Sequence, residues 1–181
     1  MKTPASELPD RATRTNRILL LGLGNDILGD DAVGLNVVRE IRRHLFASDS
    51  IEVRETVEMG LPLLDYFVRF ENVVLVDAIQ TGEAPPGFVH EFSGSDLKLL
   101  RRGSPHSLGV GEVLALAEQL GLPTPSEVRI FAIEVEGPFA VKEGTSLSIQ
   151  RKSPKIVARI LRAVHRLREN FENARGVSFA E

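Results

Sequence analysis

Short runs of aliphatic residues alternate along the chain with longer segments in which apolar residues recur every three or four positions. The short runs are typical of β-strands, and the longer segments are typical of amphipathic helices. Strands that alternate with helices indicate a mainly parallel sheet with helices packed against it. The hydrophobic pattern therefore predicts an α/β fold.

Five segments are predicted to be strands. Residues 18–23 and 72–78 are almost continuously apolar, which is typical of central strands covered on both faces, and we expect these two to be neighbours. Residues 51–56 alternate apolar and charged side chains, which suits a strand nearer to the edge of the sheet. Residues 88–92 and 127–133 supply the remaining strands.

Helices are predicted between these strands. The first follows residue 32, because five apolar residues there share one helical face: Val33, Val37, Val38, Ile41 and Leu45. A short helix is expected over 62–70, one or two helical turns over 95–100, and a helix over 110–120. The last helix is expected from Ser153 to about residue 173, with Pro154 in its first turn; a start at Ser148 would place Pro154 inside the helix and kink it.

The first 16 residues are polar, carry Pro4 and Pro9, and lack the apolar stretch of a secretory signal. We expect a frayed tail over 1–16 and a single α/β domain over 17–175. No apolar run approaches the roughly 18 to 20 residues that a membrane helix requires. The sequence therefore predicts a cytoplasmic protein without a membrane anchor.

Composition narrows the possible chemistry. A length of 181 residues with 43% hydrophobic residues suits one globular domain, and a net charge of −3 provides no overall basic field for nucleic acid or an anionic membrane. The chain has no cysteine and no tryptophan, so thiolate metal sites and a cysteine nucleophile are excluded. Any metal must be held by oxygen or imidazole ligands.

The glycine-rich segment 22–34, GLGNDILGDDAVG, joins the first strand to the first helix. Such turns bind dinucleotides when a third glycine follows at the required position, but that position is Ile27. The adjacent Asp30 and Asp31 would also repel a pyrophosphate. We expect one of these carboxylates to cap the helix and the other to have a functional role.

Two further residues depart from the local pattern. Asp77 ends a buried apolar strand, where a charge must be solvated, paired or coordinated, and it converges with Asp31 if strands 18–23 and 72–78 are neighbours. His106 lies in a loop before the predicted helix 110–120, from which it could fold over the same cleft. His44, His90 and His165 are expected to be structural.

Two carboxylates and one imidazole form a plausible set of ligands for a divalent metal and leave coordination positions for substrate or water. A rival use of Asp31 and Asp77 is a pair of acids that share one proton, as in aspartic proteases. The imidazole of His106 favours the metal, because an acid pair does not need it.

Three segments together resemble the [NiFe]-hydrogenase maturation endopeptidases: GLGNDILGDDAVG at 22–34, VDAIQTGEAPPG at 76–87 and SPHSLGVGEVLALAEQLG at 104–121. The resemblance implies a three-layer α/β/α sandwich with a twisted, mostly parallel central sheet. It also implies that Asp31, Asp77 and His106 are metal ligands and the catalytic site. The implied reaction is removal of a C-terminal extension from the hydrogenase large-subunit precursor.

The same resemblance implies that the enzyme recognises nickel already inserted into the precursor. Zinc or cadmium could also occupy the site. The implied protein is a monomer whose partner is that precursor. Two other hypotheses remain open: a nucleotide- or cofactor-binding α/β module, and a metallochaperone that binds the precursor without cutting it.

This chain departs from the family pattern at two places. Some relatives have Glu where this chain has the shorter Asp31. Many relatives have an Asp-Gly-Gly-Thr type of segment, thought to help select the substrate, where this chain has residues 55–60, ETVEMG. The second departure leaves the hydrogenase partner open.

Overall fold

A computed structural model describes residues 15–45, 50–94, 96, 109–137 and 141–174. His106 and most of the predicted helical turns at 95–100 lie outside these residues, as does the predicted tail before residue 15. The described strands are β1 (Thr15–Leu23), β2 (Ile51–Thr56), β3 (Phe70–Ile79), β4 (Val89–Ser93) and β5 (Glu127–Glu134). The described helices are α1 (Val33–His44), α2 (Leu64–Phe67), α3 (Val110–Gln119) and α4 (Leu147–Ala174).

The five strands form one sheet in the order β2-β1-β3-β5-β4. The pairs β1–β2, β1–β3 and β3–β5 are parallel, and β4 is antiparallel to β5. The expected pairing of the two most apolar strands is confirmed, with Gly22 opposite Val76. From β1 the chain turns to β2 on one side and to β3 on the other, so the strand order reverses between β1 and β3. In open α/β sheets this reversal is where ligand crevices form.

Helices cover both faces of the sheet, which gives the three layers implied by the resemblance. One buried cluster joins one face of the sheet to α1 and α4 through residues that include Val37, Ile41 and Ile160. A second cluster joins the other face to α2 and α3 through residues that include Phe67, Val110 and Val113. Successive residues of β1 point alternately into the two clusters, which explains why this strand is apolar without interruption.

The strand bounds differ from the prediction by up to three residues, and β1 already begins at Thr15, within the predicted tail 1–16. Two predicted helices differ more. The predicted helix 62–70 is a 3-10 turn, Leu61–Leu63, followed by the single turn of α2, because β3 already begins at Phe70. The expected start of the last helix at Ser153 is wrong, since α4 begins at Leu147 and contains Pro154. The alternative start at Ser148 was one residue from the observed start.

Glycines allow α1 to pack directly on the ends of the two central strands. A Cβ added to Gly34 would lie 2.3 Å from the carbonyl oxygen of Leu23 and 2.4 Å from that of Val76. A Cβ on Gly22 would lie 2.5 Å from Cγ2 of Val38. The first turn of α1 is thus held against both β1 and β3. Among the helices that the structure describes, none is long and apolar enough to cross a lipid bilayer.

Candidate active site

Asp31 lies in a 3-10 turn, Gly29–Ala32, between the carboxyl end of β1 and the start of α1, and it is fully buried. The loop before it turns tightly, because the backbone N–H of Leu28 donates to Asn25 and that of Asp31 donates to Leu28. Arg39 of α1 fixes the same loop from outside through two hydrogen bonds to Asp26, of 2.7 and 2.8 Å. These contacts determine where the Asp31 backbone lies.

The pair of Asp26 and Arg39 changes the ionisation of both groups. The hydrogen bonds from Arg39 lower the pKa of Asp26, and those to Asp26 and Glu55 raise the pKa of Arg39. Both residues therefore stay charged across the physiological pH range. Arg39 also donates to Glu55 of β2 at 2.6 Å, so it connects the loop after β1 with the end of β2.

Asp30 does not cap the helix that follows it. Among the described residues, no side chain donates or accepts a capping hydrogen bond at the start of the 3-10 turn or of α1. Instead, Oδ1 of Asp30 accepts a hydrogen bond of 2.5 Å from the backbone N–H of Ser146, directly before α4. The prediction that Asp30 caps α1 is therefore wrong. Asp30 instead holds the segment that leads into α4.

Asp77 lies in β3, two residues from its carboxyl end, and only 1% of its surface is exposed. Its Oδ1 accepts a hydrogen bond of 2.8 Å from the backbone N–H of Ala78. Because β1 and β3 are parallel neighbours, Asp77 and the turn that carries Asp31 lie at the same end of the sheet. The structure thus brings Asp31 and Asp77 to the point where the strand order reverses, and we call this pair the acidic site.

The third predicted residue, His106, lies outside the described part of the chain. Gly109, three residues after it, is described, and an added Cβ there would lie 3.2 Å from Cα of Gly60, which follows β2. Within the described ranges, no three His, Asp or Glu side chains are arranged to hold a metal ion. A metal at the acidic site would therefore need a ligand beyond the described residues or from a substrate.

Glu134 is a buried acidic residue that is not among the predicted site residues. It ends β5, is 1% exposed, and accepts four hydrogen bonds. Oε1 accepts from the backbone N–H groups of Thr81 and Gly82 at 2.7 and 2.8 Å. Oε2 accepts from the Thr81 hydroxyl at 2.7 Å and lies 2.9 Å from Nε2 of His90. Glu134 thereby fastens the turn that follows β3, the strand of Asp77.

Burial and hydrogen bonding have opposite effects on Glu134. Burial raises its pKa by disfavouring the charged form, whereas the hydrogen bonds from Thr81, Gly82 and His90 lower it and outweigh the burial. The net effect is a pKa below the ordinary value. Glu134 is therefore an anion that the fold itself stabilises, with both oxygens already occupied by donors of this chain.

The glycine-rich segment is used for packing within the chain. Gly24 has φ +142°, and a Cβ there would lie 2.1 Å from the carbonyl oxygen of Asp31. In a dinucleotide site, the corresponding glycine lets a pyrophosphate approach the backbone. Here a carbonyl oxygen occupies that side of Gly24 and would repel a phosphate. The geometry therefore disfavours the nucleotide-binding hypothesis.

The fold and the acidic site define a class: a doubly wound α/β protein with two buried acidic residues where its strand order reverses. Within that class the chain belongs to the hydrogenase maturation protease family, because the family model HycI, described as hydrogenase maturation protease, matches residues 35–163. This range includes Asp77 and His106, and Asp31 lies four residues before it.

Individual relatives agree with this assignment. The chain is 30% identical over 101 residues to the hydrogenase 2 maturation protease of Escherichia coli K12, covering 55% of this chain and 62% of that protein. It is 31% identical over 107 residues to the hydrogenase expression/formation protein HupD of Thiocapsa roseopersicina, covering 58% and 48% respectively. The matched part thus spans about half to six-tenths of these curated relatives.

Solved structures share the fold. The hydrogenase maturating endopeptidase HybD of Escherichia coli superposes with a TM-score of 0.72 at 24% identity, over 83% of this chain and 93% of that one. The [NiFe] hydrogenase maturation protease HycI of Thermococcus kodakarensis superposes with a TM-score of 0.63 at 26% identity, with the same coverages. The expected α/β fold is therefore confirmed.

Proposed function

We propose that this protein is an endopeptidase that removes the C-terminal extension of a [NiFe]-hydrogenase large-subunit precursor after nickel has been inserted. The observation that carries the proposal is the acidic site. The two buried carboxylates lie at the junction of the central strands, where open α/β sheets form ligand crevices, and carboxylates are suitable ligands for a metal ion. Family membership supports the protease activity and a precursor as its substrate.

The proposed ligands are Asp31, Asp77 and His106. The carboxylates are hard ligands, the imidazole is intermediate, and the chain contains no thiolate. Such a set binds nickel weakly by itself and gains affinity when a substrate brings the ion with ligands of its own. We therefore treat nickel as part of the substrate, with Asp31, Asp77 and His106 completing its coordination.

This arrangement couples cleavage to nickel insertion. A precursor without nickel lacks the ion that Asp31, Asp77 and His106 recognise, so its scissile bond is not held at the acidic site. The ion either polarises the scissile carbonyl or only positions the peptide. Single-turnover rates with precursors that carry nickel or zinc distinguish these roles, since polarisation depends on the ion and positioning depends mainly on geometry.

The central experiment incubates a nickel-loaded precursor with wild-type protein, Asp77→Asn or His106→Ala and measures the precursor mass by mass spectrometry. We expect the wild type to release the extension and both variants to lose at least about 100-fold in rate, which is the usual effect of removing one charge-stabilising group. Asp65→Asn, which changes an exposed carboxylate on α2, is the matched control and should retain activity.

Circular dichroism of each variant separates loss of function from unfolding. Normal cleavage by Asp77→Asn and His106→Ala would contradict the proposed site. Binding of the precursor without any loss of mass, even by the wild type, would favour a metallochaperone. Equilibrium binding of NAD to the wild type would favour a nucleotide-binding module.

A further inference from the structure

A recess with basic walls lies beside the loop that follows β3. Its volume is about 330 Å³, and it lies between residues 85–89 and the first turns of α4. Val89 and Ile156, both buried, are apolar parts of its lining, and the ring of Phe88, 45% exposed, is another. Three cations complete the lining: Lys152, Lys155 and Arg159. We call this the cationic recess.

The cationic recess concentrates positive charge. Among the residues that the structure describes, no acidic one lines it, and none occurs in the sequence from 148 to 168. Within the described part of the chain, Lys155 and Arg159 form no ion pair, and both are exposed. In a protein with a net charge of −3, this is a local concentration of positive charge next to an exposed aromatic ring.

The recess is held in shape before any ligand arrives. The backbone of Glu134 bonds the loop at two points, accepting from Gly87 at 2.7 Å and donating to Phe88 at 2.8 Å. The Phe88 ring meets the ring of His90 edge-on at 4.8 Å, and the Arg159 guanidinium lies 6.0 Å from the Phe88 centroid. Lys152 donates to the carbonyl of Pro86. A preformed recess loses little conformational entropy when it binds.

The sheet register sets the smallest distance between the recess and the acidic site. Val89 is opposite Ile133 of β5, and Ile133 is opposite Ala78 of β3, the residue after Asp77. Neighbouring strands are about 4.8 Å apart, so Val89 lies about 10 Å from Ala78 along the sheet. The recess is on the face covered by α4, whereas side chains alternate along β3 and Asp77 points to the other face. An extended peptide covers about 3.3 Å per residue, so at least three or four residues are needed to connect the two.

We propose that the cationic recess binds an acidic peptide segment of the precursor, three or more residues from the bond that is cut. This proposal rests on the proposed function. Lys155 and Arg159 would pair with acidic side chains, and Phe88 would pack against an apolar neighbour. The concave shape and the single aromatic ring favour a peptide over a membrane surface or a nucleic acid.

A binding experiment tests the recess without requiring cleavage. The probe is a fluorescein-labelled octapeptide in which Asp and Glu alternate with Leu, and the matched probe has Lys at the acidic positions. In fluorescence polarisation we expect the acidic peptide to bind the wild type and the basic peptide not to bind. The double variant Lys155→Glu, Arg159→Glu should weaken binding about tenfold, because it removes two partly exposed charge pairs.

The matched control is Arg166→Glu, which reverses an exposed cation on α4 outside the recess and should change the affinity less than about twofold. Phe88→Ser should weaken binding without changing its salt dependence. Equal affinity of the double variant and the control would overturn the proposal. Because the substituted side chains are exposed, we expect all of these variants to fold. The double variant Lys155→Gln, Arg159→Gln repeats the test by removing the charges without reversing them.

A second measurement uses the nickel-loaded precursor. If the recess serves the cleavage reaction, the double variant should raise KM about tenfold and affect kcat far less. If the wild type cleaves the precursor and the double variant has an unchanged KM, the proposal that the recess binds the precursor is wrong. The proposed function is then unaffected. Absence of cleavage by the wild type would overturn the proposed function, whereas the peptide affinities would still decide whether the recess binds acidic segments.

Discussion

The buried acidic residues Asp31, Asp77 and Glu134 all lie near the carboxyl ends of the parallel strands, and Glu134 holds the turn that follows β3. Both of its oxygens accept hydrogen bonds from groups of this chain, so it is already stabilised as an anion. Its contribution to the site is to position the turn after Asp77. The metal-binding role proposed for Asp31 and Asp77 does not extend to it.

The depressed pKa of Glu134 predicts a dependence of stability on pH. A carboxyl group with a lower pKa in the folded state stabilises the fold above its unfolded pKa, and this contribution is lost as the pH falls through its folded pKa. We therefore expect the free energy of unfolding of the wild type to decrease between about pH 5 and pH 3. Urea denaturation across this range measures it.

Glu134→Gln removes this titration and part of the charge-assisted hydrogen bonding. We expect it to destabilise the fold at pH 7 by about 1 to 2 kcal/mol and to flatten the decrease of stability below pH 5. Glu136→Gln, which changes an exposed neighbour, should preserve the wild-type profile. An unchanged pH profile in Glu134→Gln would show that the hydrogen bonds from Thr81 and His90 do not stabilise the anion.

Of these three acidic residues, the sequence pointed to Asp31 and Asp77 but missed Glu134. Asp77 was identified because it ends an apolar strand, and Glu134 carries the same signal after residues 128–133. The predicted strand ended at Ile133, which placed Glu134 in a loop. Its partners Thr81 and His90 are more than forty residues away in sequence, so only the folded sheet shows that the carboxylate is satisfied.

Helix α1 packs closely on the ends of β1 and β3 because Gly34 has no side chain. Its first turn contacts the carbonyl oxygens of Leu23 and Val76 through Gly34. In an ordinary helix, replacing Gly by Ala stabilises by about 1 kcal/mol through helix propensity. Here the added Cβ would meet backbone atoms that belong to two central strands and cannot move independently, so the steric effect should prevail.

We expect Gly34→Ala to lower the free energy of unfolding by at least about 2 to 3 kcal/mol, because overpacking against rigid backbone is costly. Gly94→Ala is the matched control, since the nearest atom to its added Cβ is 3.7 Å away, an ordinary contact. Denaturant midpoints of the two variants measure the difference. Equal stabilities would mean that α1 can shift away from the strand ends at little cost.

Long amphipathic segments and apolar strands were the elements best predicted from sequence. Helix α1, helix α3 and the two central strands have strong periodic patterns that local propensity and packing both support. The segment 62–70 was overextended because its apolar residues fit both a helix and the start of β3. The start of α4 was misplaced because Pro154 is typical of a first turn, although the helix begins seven residues earlier at Leu147.

For the whole molecule, the acidic site, the Glu134 hydrogen bonds and the cationic recess all lie at one end of the sheet. This follows from the parallel arrangement of β1, β3 and β5, whose carboxyl ends meet there. Hydrophobic patterning could predict that such an end exists. It could not predict which loops meet above it, because strand order depends on contacts between residues distant in the chain.

Metal binding to the free protein should be visible as a change in thermal stability. At ten times its apparent Kd, NiCl₂ or ZnCl₂ would contribute about 1.4 kcal/mol, which for a chain of this size raises Tm by about 3 to 6 °C. We expect this increase in the wild type and in Asp65→Asn and a smaller increase in Asp77→Asn and His106→Ala. Scanning calorimetry measures it, and equal increases in all four proteins would place the metal elsewhere.

The hydrogen bonds of Glu134 also impose an order on biosynthesis. Residue 134 leaves the ribosome 57 residues after Asp77, which at about 5 to 20 residues per second corresponds to roughly 3 to 11 s. Until then, the turn at Thr81 and Gly82 lacks the carboxylate that holds it. A nascent chain that contains Asp31 and Asp77 but ends before residue 134 therefore has no Glu134 carboxylate to hold the turn beside them. These hydrogen bonds form only after β5 has been translated.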